Sequence, residues 1–498
     1  MDGVSIKELF ELNKGVSLAY NDIILLPGYT DFSISDADLS TKLSRNITLK
    51  IPIISAPMDT VTGDEMAKWM ALLGGIGFIH YNQTIEEQCE MVKKVKKFEN
   101  GFISEPEARS PDDLIESLKE SPYSNIPITE DGSSHGKLVG ILNRYDYSYE
   151  KHLKLPVKER MAGLDKLKIA SEDEILENNC LSIKKADHIL IESHSLVLPI
   201  VDKNGFLKYL VTRKDIDKNT NFPLATKDKN KKLRAGAAVG TQEDDKKRVN
   251  LLAASGVDVI KIDSAHGHTL YQIEMIKYIK KNYPEIDIIT GNIVTSSAAK
   301  DLISAGADAL CIGMGIGSIC TTQEVTAAGR AQASAIYNIA MAAKKYNIPV
   351  IADGGISKSG QIVRAMVLGA SSCMAGNLLA GTNESLGEWI INENGEKFKR
   401  YRGMGSYEAM KTGSAKRYAV DMNKEKAAEG VVAAVASKGH IYDLLPSVAA
   451  GVKQGLQKIG CKNMEEIKKA SDNGEIRVEL RSFSAQKEGD VHDVIMGK

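Results

Sequence analysis

Short apolar runs rich in β-branched residues recur along this chain, and amphipathic stretches with helical spacing follow several of them, as at Lys246–Ala254 and Ser296–Ala305. Strand-then-helix repetition predicts a parallel sheet of the α/β class. Eight runs are strand candidates: Pro52–Ser55, Gly77–Ile79, Ala235–Val239, Val257–Ile262, Ile286–Ile289, Ala309–Ile312, Pro349–Ala352 and Ser372–Ala375. Eight units favour a closed (β/α)8 TIM barrel, and a doubly wound open sheet is the alternative.

The spacing of these runs breaks between the second and the third, where residues 104–223 contain no further strand ending of this kind. Two similar units within that stretch each predict a hairpin with an Asp-Gly or Asn-Gly turn and then a helix cap. This duplication resembles a tandem pair of CBS modules, in which the aspartate of a Ser/Thr-x-x-Asp ending holds the ribose of a purine nucleotide. Thr212 and Asp215 match that ending, whereas Asn143 replaces the hydroxyl residue before Asp146. A regulatory nucleotide is therefore expected mainly in the second half, and a purely structural insertion is the alternative.

A glycine-dense loop, Gly313–Thr322, follows the sixth apolar run and precedes a helix. Alternate glycines allow backbone N–H and C=O groups to approach a ligand closely, and loops after barrel strands are where such proteins carry their chemistry. Cys320 lies near the end of this loop among hydroxyl residues. It is a candidate nucleophile, and the alternative is a small buried apolar residue.

Two further glycine turns follow the seventh and eighth runs, Asp353-Gly354-Gly355 and Gly376-Asn377. This is the usual phosphate pocket of such barrels, because backbone N–H groups there can donate to an anion. A phosphorylated substrate is therefore expected. The strand ends hold neither a Ser/His/Asp arrangement nor a carboxylate cage for a divalent metal, which disfavours acyl transfer and metal-assisted hydrolysis.

A long, glycine-punctuated polar stretch follows the last run, from Tyr401 to Gly430. Such a loop at the catalytic end of a barrel predicts a lid. An ordinary surface loop is the alternative.

Charge and cysteine content exclude several classes of protein. The 64 basic and 65 acidic residues among 498 leave a net charge of -1, which is not the signature of a nucleic-acid or membrane binder. The six cysteines indicate neither a disulfide framework nor a zinc site. No leader sequence or membrane span is recognisable. A cytoplasmic protein is expected.

Several motifs together resemble the inosine 5′-monophosphate dehydrogenase family over nearly the whole length. The motifs that carry the resemblance are Ser55–Thr62, Gly74–His80, Gly313–Thr322, Asp353–Ile356, Tyr401–Ser406 and Arg417-Tyr418. The resemblance implies a homotetramer, with octamers left open, that oxidises IMP to XMP with NAD+ and uses K+. It implies a barrel from residues 1–103 and 224–498, a tandem CBS domain at 104–223, a mobile flap at 402–431 and a cation-binding C-terminal tail.

The resemblance also implies a two-step mechanism. The thiolate of Cys320 adds to a purine carbon, hydride passes to NAD+, and a covalent thioimidate remains. Arg417, with Tyr418 beside it, activates the water that hydrolyses this intermediate, and Thr322 with Glu429 forms a second proton route. Because the pKa of arginine lies far above neutrality, the surroundings must either stabilise its neutral form or act in concert with water.

Binding roles follow from the same resemblance. The residues implied to bind IMP are Ser318, Asp353, Gly355, Gly376, Asn377, Tyr401, Met404, Gly405, Glu429 and Met58. Those implied to bind NAD+ are Asp263, Asn292, Gly313 and Gly315. Those implied to bind K+ are Gly315, Gly317 and Cys320, completed by Glu488, Gly489 and Asp490 of a neighbouring subunit.

Four positions depart from the family pattern. Cys311 stands where a basic residue is usual, which is expected to weaken an electrostatic contact near the dinucleotide. Asn377 stands where a serine is common but retains an amide donor. Asp490 replaces a glycine, although a backbone carbonyl is the expected ligand there. Asn143 weakens the first CBS site.

Two other functions compete with the implied dehydrogenase. GMP reductase shares Cys320 and Thr322 and uses NADPH, but a deaminating reductase has no need of the pair Arg417-Tyr418. A catalytically silent, nucleotide-sensing scaffold would have no need of Cys320 and Glu429.

Overall fold

The computed structural model describes residues 2–98, 101–177, 180–418 and 427–491. The chain divides into two compact units. We call Met1–Lys97, Leu224–Thr226 and Arg234–Lys498 the barrel unit, and Phe98–Pro223 with Lys227–Leu233 the inserted unit.

Eight parallel strands close into a barrel in the barrel unit. In chain order they are β1 (Ile53–Ser55), β2 (Ile76–Ile79), β3 (Gly236–Val239), β4 (Val259–Asp263), β5 (Asp287–Ile293), β6 (Ala309–Ile312), β7 (Val350–Asp353) and β8 (Ser372–Ala375). Strand β8 pairs with β1, where Cys373 faces Ile53. The predicted barrel is confirmed, and the open-sheet alternative is wrong because both edges of the sheet are paired.

Strand β5 continues to Ile293, past the predicted end at Ile289. The apolar pattern stopped there because Thr290, Gly291 and Asn292 have the composition of a turn. All three are buried. The amide of Asn292 donates to the Gly313 carbonyl at 2.9 Å, so a hydrogen bond inside the barrel offsets the burial of this polar side chain.

Apolar side chains from the strands fill the barrel interior. Its buried cluster includes Ile54, Phe78, Val259, Ile289 and Ile351. Full burial of one such side chain stabilises a fold by about 1.5–3 kcal/mol. The interior is therefore a packed core, and ligands can reach only its ends.

Each strand is followed along the chain by a helix that buries part of its surface. These helices are α1 (Asp64–Leu72), α2 (Ile85–Lys97), α3 (Glu243–Ala254), α4 (Leu270–Asn282), α5 (Ser296–Ala305), α6 (Gln332–Lys344), α7 (Ser359–Val367) and α8 (Ile441–Lys458). The side chains of Thr269 and Thr295 cap α4 and α5. Among the helices of the described residues, none has both the length and the apolar character needed to cross a membrane.

The predicted lid begins and ends in an antiparallel sheet that the apolar pattern did not predict. Its strands are β9 (Trp389–Ile391), β10 (Lys397–Arg402) and β11 (Val432–Ala436), paired in that order. Between β10 and β11 the chain forms the helix Tyr407–Thr412 and a 3-10 helix, Ser414–Tyr418. Residues 419–426 of the predicted flap lie outside the described residues.

The two ends of the chain meet in a small antiparallel sheet on the barrel unit. Its strands are Val4–Ser5, Arg477–Leu480 and Ile23–Leu25. A second small pairing joins Thr41–Lys42 to Thr48–Leu49. The helices of these terminal segments are Ile6–Leu12, Met464–Asp472 and Phe483–Glu488.

The inserted unit contains two three-stranded sheets. One consists of Asn125–Thr129, Leu138–Asn143 and Ala162–Gly163, and the other of Ala170–Ser171, Val197–Val201 and Leu207–Thr212. Both predicted hairpins are confirmed. Their turns contain Gly132 and Gly205 at φ of 74° and 84°, a backbone region that favours glycine.

The two halves of the inserted unit differ after their hairpins. Thr212 caps a full helix, Arg213–Asn221, by accepting from the backbone N–H of Asp215. Asn143 caps only a 3-10 turn, Arg144–Asp146, and a four-residue helix follows. Ile183–Glu192 is the other longer helix of the second half.

Candidate active site

One cavity of about 280 Å³ collects most of the predicted site residues at the carboxyl ends of the barrel strands, and we call it the first cavity. The predicted residues that line it are Met58, Asp263, Asn292, Gly313, Gly315, Gly317, Ser318, Cys320, Thr322, Asp353, Gly355, Gly376, Asn377, Tyr401, Met404, Gly405, Arg417, Tyr418 and Glu429. The structure therefore brings together every residue that was predicted to act in catalysis or to bind IMP or NAD+.

The loop that carries Cys320 is held by the far end of the flap. The backbone N–H of Thr321 donates to the Glu429 carbonyl at 3.0 Å, and that of Val431 donates to the Ile319 carbonyl at 3.0 Å. Within the loop, the N–H of Cys320 donates to the Gly317 carbonyl at 3.0 Å. Cys320 is half-buried, so its thiol is accessible from the first cavity.

A short chain of polar groups leads away from this thiol. Thr322 Oγ1 lies 3.2 Å from Cys320 Sγ and donates to Glu429 Oε2 at 2.8 Å. Because the Thr322 hydroxyl gives its proton to Glu429, its oxygen can accept a proton from a group beside the sulfur. The predicted proton route through Thr322 and Glu429 is thus geometrically continuous.

Arg417 reaches from the flap to the end of β4. Its Nε donates to Asp263 Oδ2 at 2.7 Å and its Nη2 to Asp263 Oδ1 at 3.3 Å. Its Nη1 donates to the hydroxyl of Tyr418 at 3.1 Å. The predicted water-activating pair and the residue predicted to bind the NAD+ ribose are therefore in direct contact.

This contact determines the charge of Arg417. Burial alone would lower the pKa of its guanidinium, but Asp263 and Tyr418 raise that pKa well above its ordinary value. The pKa of Asp263 is lowered below its ordinary value although burial opposes the shift, because Arg417 and Lys261 stabilise the carboxylate. In this conformation the contact with Asp263 therefore favours the charged guanidinium.

Lys261 is a site residue that the sequence analysis missed. It lies two positions before Asp263 on β4 and is 1% exposed. Its ammonium donates to Asp263 Oδ1 and lies 3.9 Å from Asp353 Oδ2. The sequence does contain a signal for Lys261. Residues two apart on a strand share a face, so Lys261 lies on the same face of this apolar strand as Asp263.

Asp353, at the end of β7, joins the two predicted ligand sites. Its Oδ2 accepts from Asn292 Nδ2 at 2.8 Å and lies 3.6 Å from Cys311 Sγ. Gln332 Nε2, which the sequence analysis also missed, donates to the Asp353 backbone carbonyl at 3.0 Å. Burial raises the pKa of the Cys311 thiol well above its ordinary value; Lys261 opposes this shift, and Asp353 and Asp263 add to it. Cys311 is therefore a neutral neighbour of this carboxylate.

The glycines of the predicted phosphate pocket lie where the packing leaves little room for a side chain. Gly354 and Gly355 have φ of 100° and 71°, and a Cβ on Gly354 would lie 2.2 Å from Ile316 Cδ1. A Cβ on Gly376 would lie 2.9 Å from the Tyr401 hydroxyl. Asn377 Nδ2 donates to Ser318 Oγ at 3.2 Å, so the predicted amide donor already faces the loop that carries Cys320.

A second cavity of about 600 Å³ shares Arg417, Tyr418 and Glu429 with the first. It extends over the ends of β4 and β5 and is also lined by His266 and Tyr271. We call it the second cavity. The sequence analysis missed these two aromatic residues because isolated rings in a loop and a helix carry no local pattern.

The residues predicted to complete a K+ site do not meet within the chain. Glu488 ends the helix Phe483–Glu488, and Glu488, Gly489 and Asp490 line neither cavity. Across the described residues no group of three histidine, cysteine or acidic side chains could hold a metal ion. Any cation at the Cys320 loop would therefore depend on backbone carbonyls there.

In the inserted unit, Asp215 is buried and already paired. Its carboxylate accepts from the Thr212 hydroxyl at 2.5 Å and contacts Lys218 Nζ at 2.9 Å. Asp146 accepts from the backbone N–H of Asn143 at 2.8 Å. A ribose at Asp215 would have to compete with Thr212 and Lys218.

Known proteins resemble this chain over almost its entire length. The family model described as IMP dehydrogenase / GMP reductase domain matches residues 17–492. An inosine-5′-monophosphate dehydrogenase of Schizosaccharomyces pombe is 46% identical over 98% of this chain and 94% of its own length. One of Trypanosoma brucei brucei is 40% identical over 99% of this chain and 95% of its own length.

A solved structure shares the fold. It is a GMP reductase from Trypanosoma brucei, a cysteine-to-alanine variant in complex with guanosine 5′-monophosphate. It superposes with a TM-score of 0.84 at 33% identity and covers 97% of this chain and 99% of its own. The match along residues 17–492 and the identity of full-length relatives show that this chain belongs to the IMP dehydrogenase / GMP reductase family.

Proposed function

We propose that this protein oxidises IMP to XMP with NAD+, a step of guanine nucleotide synthesis. The observation that carries the proposal is the contact of Arg417 with Asp263 in the cavity that also holds Cys320. A reaction with separate hydride-transfer and hydrolysis steps needs a nucleophile, a dinucleotide site and a water-activating group in one place. The higher identity to dehydrogenases, at 46% and 40%, than to the solved reductase, at 33%, supports this direction.

The residues present suit a bound dinucleotide. Asp263 offers a carboxylate to a ribose diol, and the second cavity begins beside it. Asn292 Oδ1 is buried with no hydrogen-bond partner among the described residues, so it can accept from an amide. When bound, NAD+ supplies the hydride acceptor. Asn292, Gly313 and Gly315 would then lie beside its nicotinamide.

In the first step Cys320 acts as the nucleophile. Its sulfur forms a bond to the purine carbon between the two ring nitrogens, and hydride then leaves that carbon with its electron pair. The product of this step is a thioimidate between Cys320 and the purine. The polar groups beside the sulfur, Thr322 and Glu429, can receive the thiol proton, and the partly exposed Glu429 can release it to solvent before the second step.

In the second step water replaces the sulfur. Water adds to the same carbon, and the carbon–sulfur bond then breaks to release XMP and the thiolate. Arg417 and Tyr418 activate this water. Because Asp263 keeps Arg417 protonated, the guanidinium stabilises the developing hydroxide while the proton passes through Thr322 to Glu429.

The two steps use Asp263 alternately. Arg417 occupies both carboxylate oxygens in the conformation described, so a ribose and Arg417 cannot bind this side chain together. The flap would therefore leave Asp263 when NAD+ binds and return after NADH departs. Hydride transfer and hydrolysis would share one site in sequence.

The remaining contacts are assigned to IMP. Phosphate would be held by Ser318, Gly355, Gly376, Asn377 and Tyr401, and ribose by Asp353. The purine base would contact Met404, Gly405, Glu429 and Met58. Burial raises the pKa of the Tyr401 phenol above its ordinary value, so it remains a hydrogen-bond donor to phosphate.

We also propose a K+ ion and a homotetramer in the cytoplasm. The carbonyls of Gly315, Gly317 and Cys320 would bind K+ together with residues 488–490 of a second copy. Removal of K+ should lower the rate of NADH formation, measured by absorbance, without changing the mass of the assembly, measured by mass photometry.

For the inserted unit we propose a tandem CBS domain that binds a purine nucleotide. Thr212 and Asp215 would hold its ribose, with Asp146 as a weaker second site. The competing Lys218 contact implies that Lys218→Ala should change nucleotide affinity, whereas the exposed Lys203→Ala should not. Calorimetric titration with ATP and with GTP measures this.

The central test is direct. Pure protein with IMP, NAD+ and K+ should produce NADH absorbance, and the Cys320→Ala variant should not. Consumption of NADPH in the presence of GMP, with no NADH formed from IMP, would identify a GMP reductase instead. Nucleotide binding without either reaction would identify a silent scaffold.

A further inference from the structure

Lys261 is a buried lysine on the floor of the first cavity, and the two-step mechanism leaves it without a role. It is 1% exposed and lines the cavity between apolar neighbours of β4. An ammonium group leaves water only where other groups compensate its charge. A fully buried lysine at the base of a ligand cavity therefore needs a nearby group of opposite charge.

Two carboxylates provide that compensation. The Lys261 ammonium donates to Asp263 Oδ1, and it lies 3.9 Å from Asp353 Oδ2. These carboxylates end strands β4 and β7, and the mechanism assigns one to each ribose. Burial alone would lower the pKa of Lys261, but the nearby carboxylates, Asp263 before Asp353, raise it above its ordinary value.

The charge balance changes when the flap moves. With Arg417 in contact, two cations face Asp263 and Asp353. When Arg417 leaves so that NAD+ can bind, Lys261 remains as the basic residue among the described residues that line the first cavity. Without it, departure of Arg417 would leave two like charges in a buried site, which is costly.

We propose that Lys261 is a positioning residue that holds the Asp263 and Asp353 carboxylates in place for the two riboses, and that allows Arg417 to leave. This inference rests on the proposed function and deepens it. It also gives Cys311 a context, because its neutral thiol lies 3.6 Å from the same Asp353 oxygen. The cation at the base of the cavity is therefore Lys261 on β4, and Cys311 on β6 is a neutral thiol.

The first test replaces the ammonium with a side chain of similar length. Lys261→Met should raise the dissociation constant of IMP, measured by calorimetry without NAD+, by about tenfold. The reason is that Asp353, which is assigned to the IMP ribose, loses its contact with the Lys261 ammonium. The KM for NAD+ should rise further, because the Lys261 contact with Asp263 is direct and that with Asp353 is longer. Calorimetry supplies a readout that does not depend on turnover.

A matched pair separates charge from packing. K261M/C311K returns a cation to the same floor from β6, and K261M/C311M adds a side chain of similar length without charge. The lysine-bearing pair should recover the IMP affinity at least partly, and the methionine pair should not. Equal recovery by both, recovery by neither, or unchanged constants in K261M would overturn the inference.

Two further measurements distinguish a failure of the inference from a failure of folding or of the proposed function. If K261M does not fold, the thermal transitions of the two double variants decide the question: recovery only in K261M/C311K supports the inference, and any other result overturns it. If the unmodified protein binds IMP but forms no NADH, the proposed function fails. The calorimetric comparison then still tests the contact between Lys261 and Asp353.

Discussion

Exposure distinguishes Cys320 from the other cysteines whose side chains the structure describes. Cys89, Cys311, Cys373 and Cys461 are buried, whereas Cys320 is half-buried at the cavity. Burial raises the pKa of Cys461 to about 11, so this thiol is not a nucleophile near neutral pH. Reactivity of one cysteine among several follows from this difference.

Cys320→Ala should abolish hydride transfer, because Cys320 is the one thiol among the described residues that line the first cavity. Stopped-flow absorbance at the NADH band should show no burst. The matched control is Cys461→Ala, which removes a thiol that lines neither cavity and should keep the burst. A burst of parent size in Cys320→Ala would contradict the assignment.

Arg417→Ala should separate the two chemical steps. Asp263 loses its flap partner, so NAD+ binding and the first-turnover burst should remain, while hydrolysis of the thioimidate slows by about 10²-fold or more. Burst amplitude against steady-state rate measures the separation. Equal loss of both steps would show that Arg417 does not act in hydrolysis alone.

His80 makes stability depend on pH. Burial, with Arg248 and Arg402 adding to it and Asp59 opposing it, lowers the pKa of His80 from 6.5 to about 4. Between about pH 6.5 and pH 4, His80 is therefore protonated in the unfolded chain but neutral in the folded protein. Stability contributed by neutral His80 is present above about pH 6.5 and is lost as the pH falls toward 4.

His80→Gln should flatten this dependence. Between about pH 7 and about pH 5 the parent should lose roughly 2 kcal/mol of stability through this group, and the variant should not. Denaturant unfolding at the two pH values measures the difference. His188→Gln, at an exposed position, is the matched control and should retain the parent behaviour. Identical slopes in His80→Gln and the parent would show that another group titrates.

Residue-level prediction succeeded where motifs were contiguous. Cys320 and Thr322 stand in one loop, and Asp353 begins a glycine turn at a strand end, so local pattern located them. Lys261 and Gln332 were missed, because their importance comes from carboxylate and carbonyl groups that lie far away in sequence. Their partners are known only once the barrel is closed.

At the scale of elements, the flap has a fixed first segment. Asn82 Nδ2 donates to the Thr412 hydroxyl at 2.8 Å and to Asp59 at 2.6 Å, which ties the helix Tyr407–Thr412 to the loops after β1 and β2. Gly413 follows at φ of 140°, and a Cβ there would lie 2.9 Å from Asn82 Oδ1. If the flap moves as proposed, the segment that carries Arg417 would begin to move at this glycine.

Gly413→Ala should disfavour the position in which Arg417 contacts Asp263. A side chain at positive φ costs about 1–2 kcal/mol, so hydrolysis should slow by about tenfold with little change in the hydride burst. The matched control is Gly395→Ala, which also has positive φ but meets nothing within 4 Å of its added Cβ. An equal effect in both variants would attribute the loss to general strain.

The sequence predicted those strands that are buried on both faces. The strands of the barrel are continuous apolar runs, which is typical of parallel strands covered on both sides. The flap sheet was missed because β10 is rich in Lys and Arg and β11 is largely exposed. Such strands are stabilised by pairing with each other, and pairing leaves no periodic apolar signal.

At the scale of the whole molecule, both cavities lie in one of the two units. The described residues that line both cavities all belong to the barrel unit. The inserted unit has its own buried cores, one around Ile126 and Leu142 and one around Leu198 and Val211. We therefore expect that deletion of the inserted unit would separate catalysis from any regulation by nucleotide.

Replacement of residues 98–223 by a short Gly-Ser linker should leave kcat and both KM values within about threefold of the parent, because each unit holds its own core. The same change should abolish any effect of added ATP or GTP on the rate. Steady-state kinetics with and without these nucleotides measure both expectations. Asp215→Asn in the full chain is the matched control, since it should weaken the nucleotide effect while retaining the inserted unit. A folded deletion variant that lacks the hydride burst would mean that the inserted unit takes part in building the catalytic cavity.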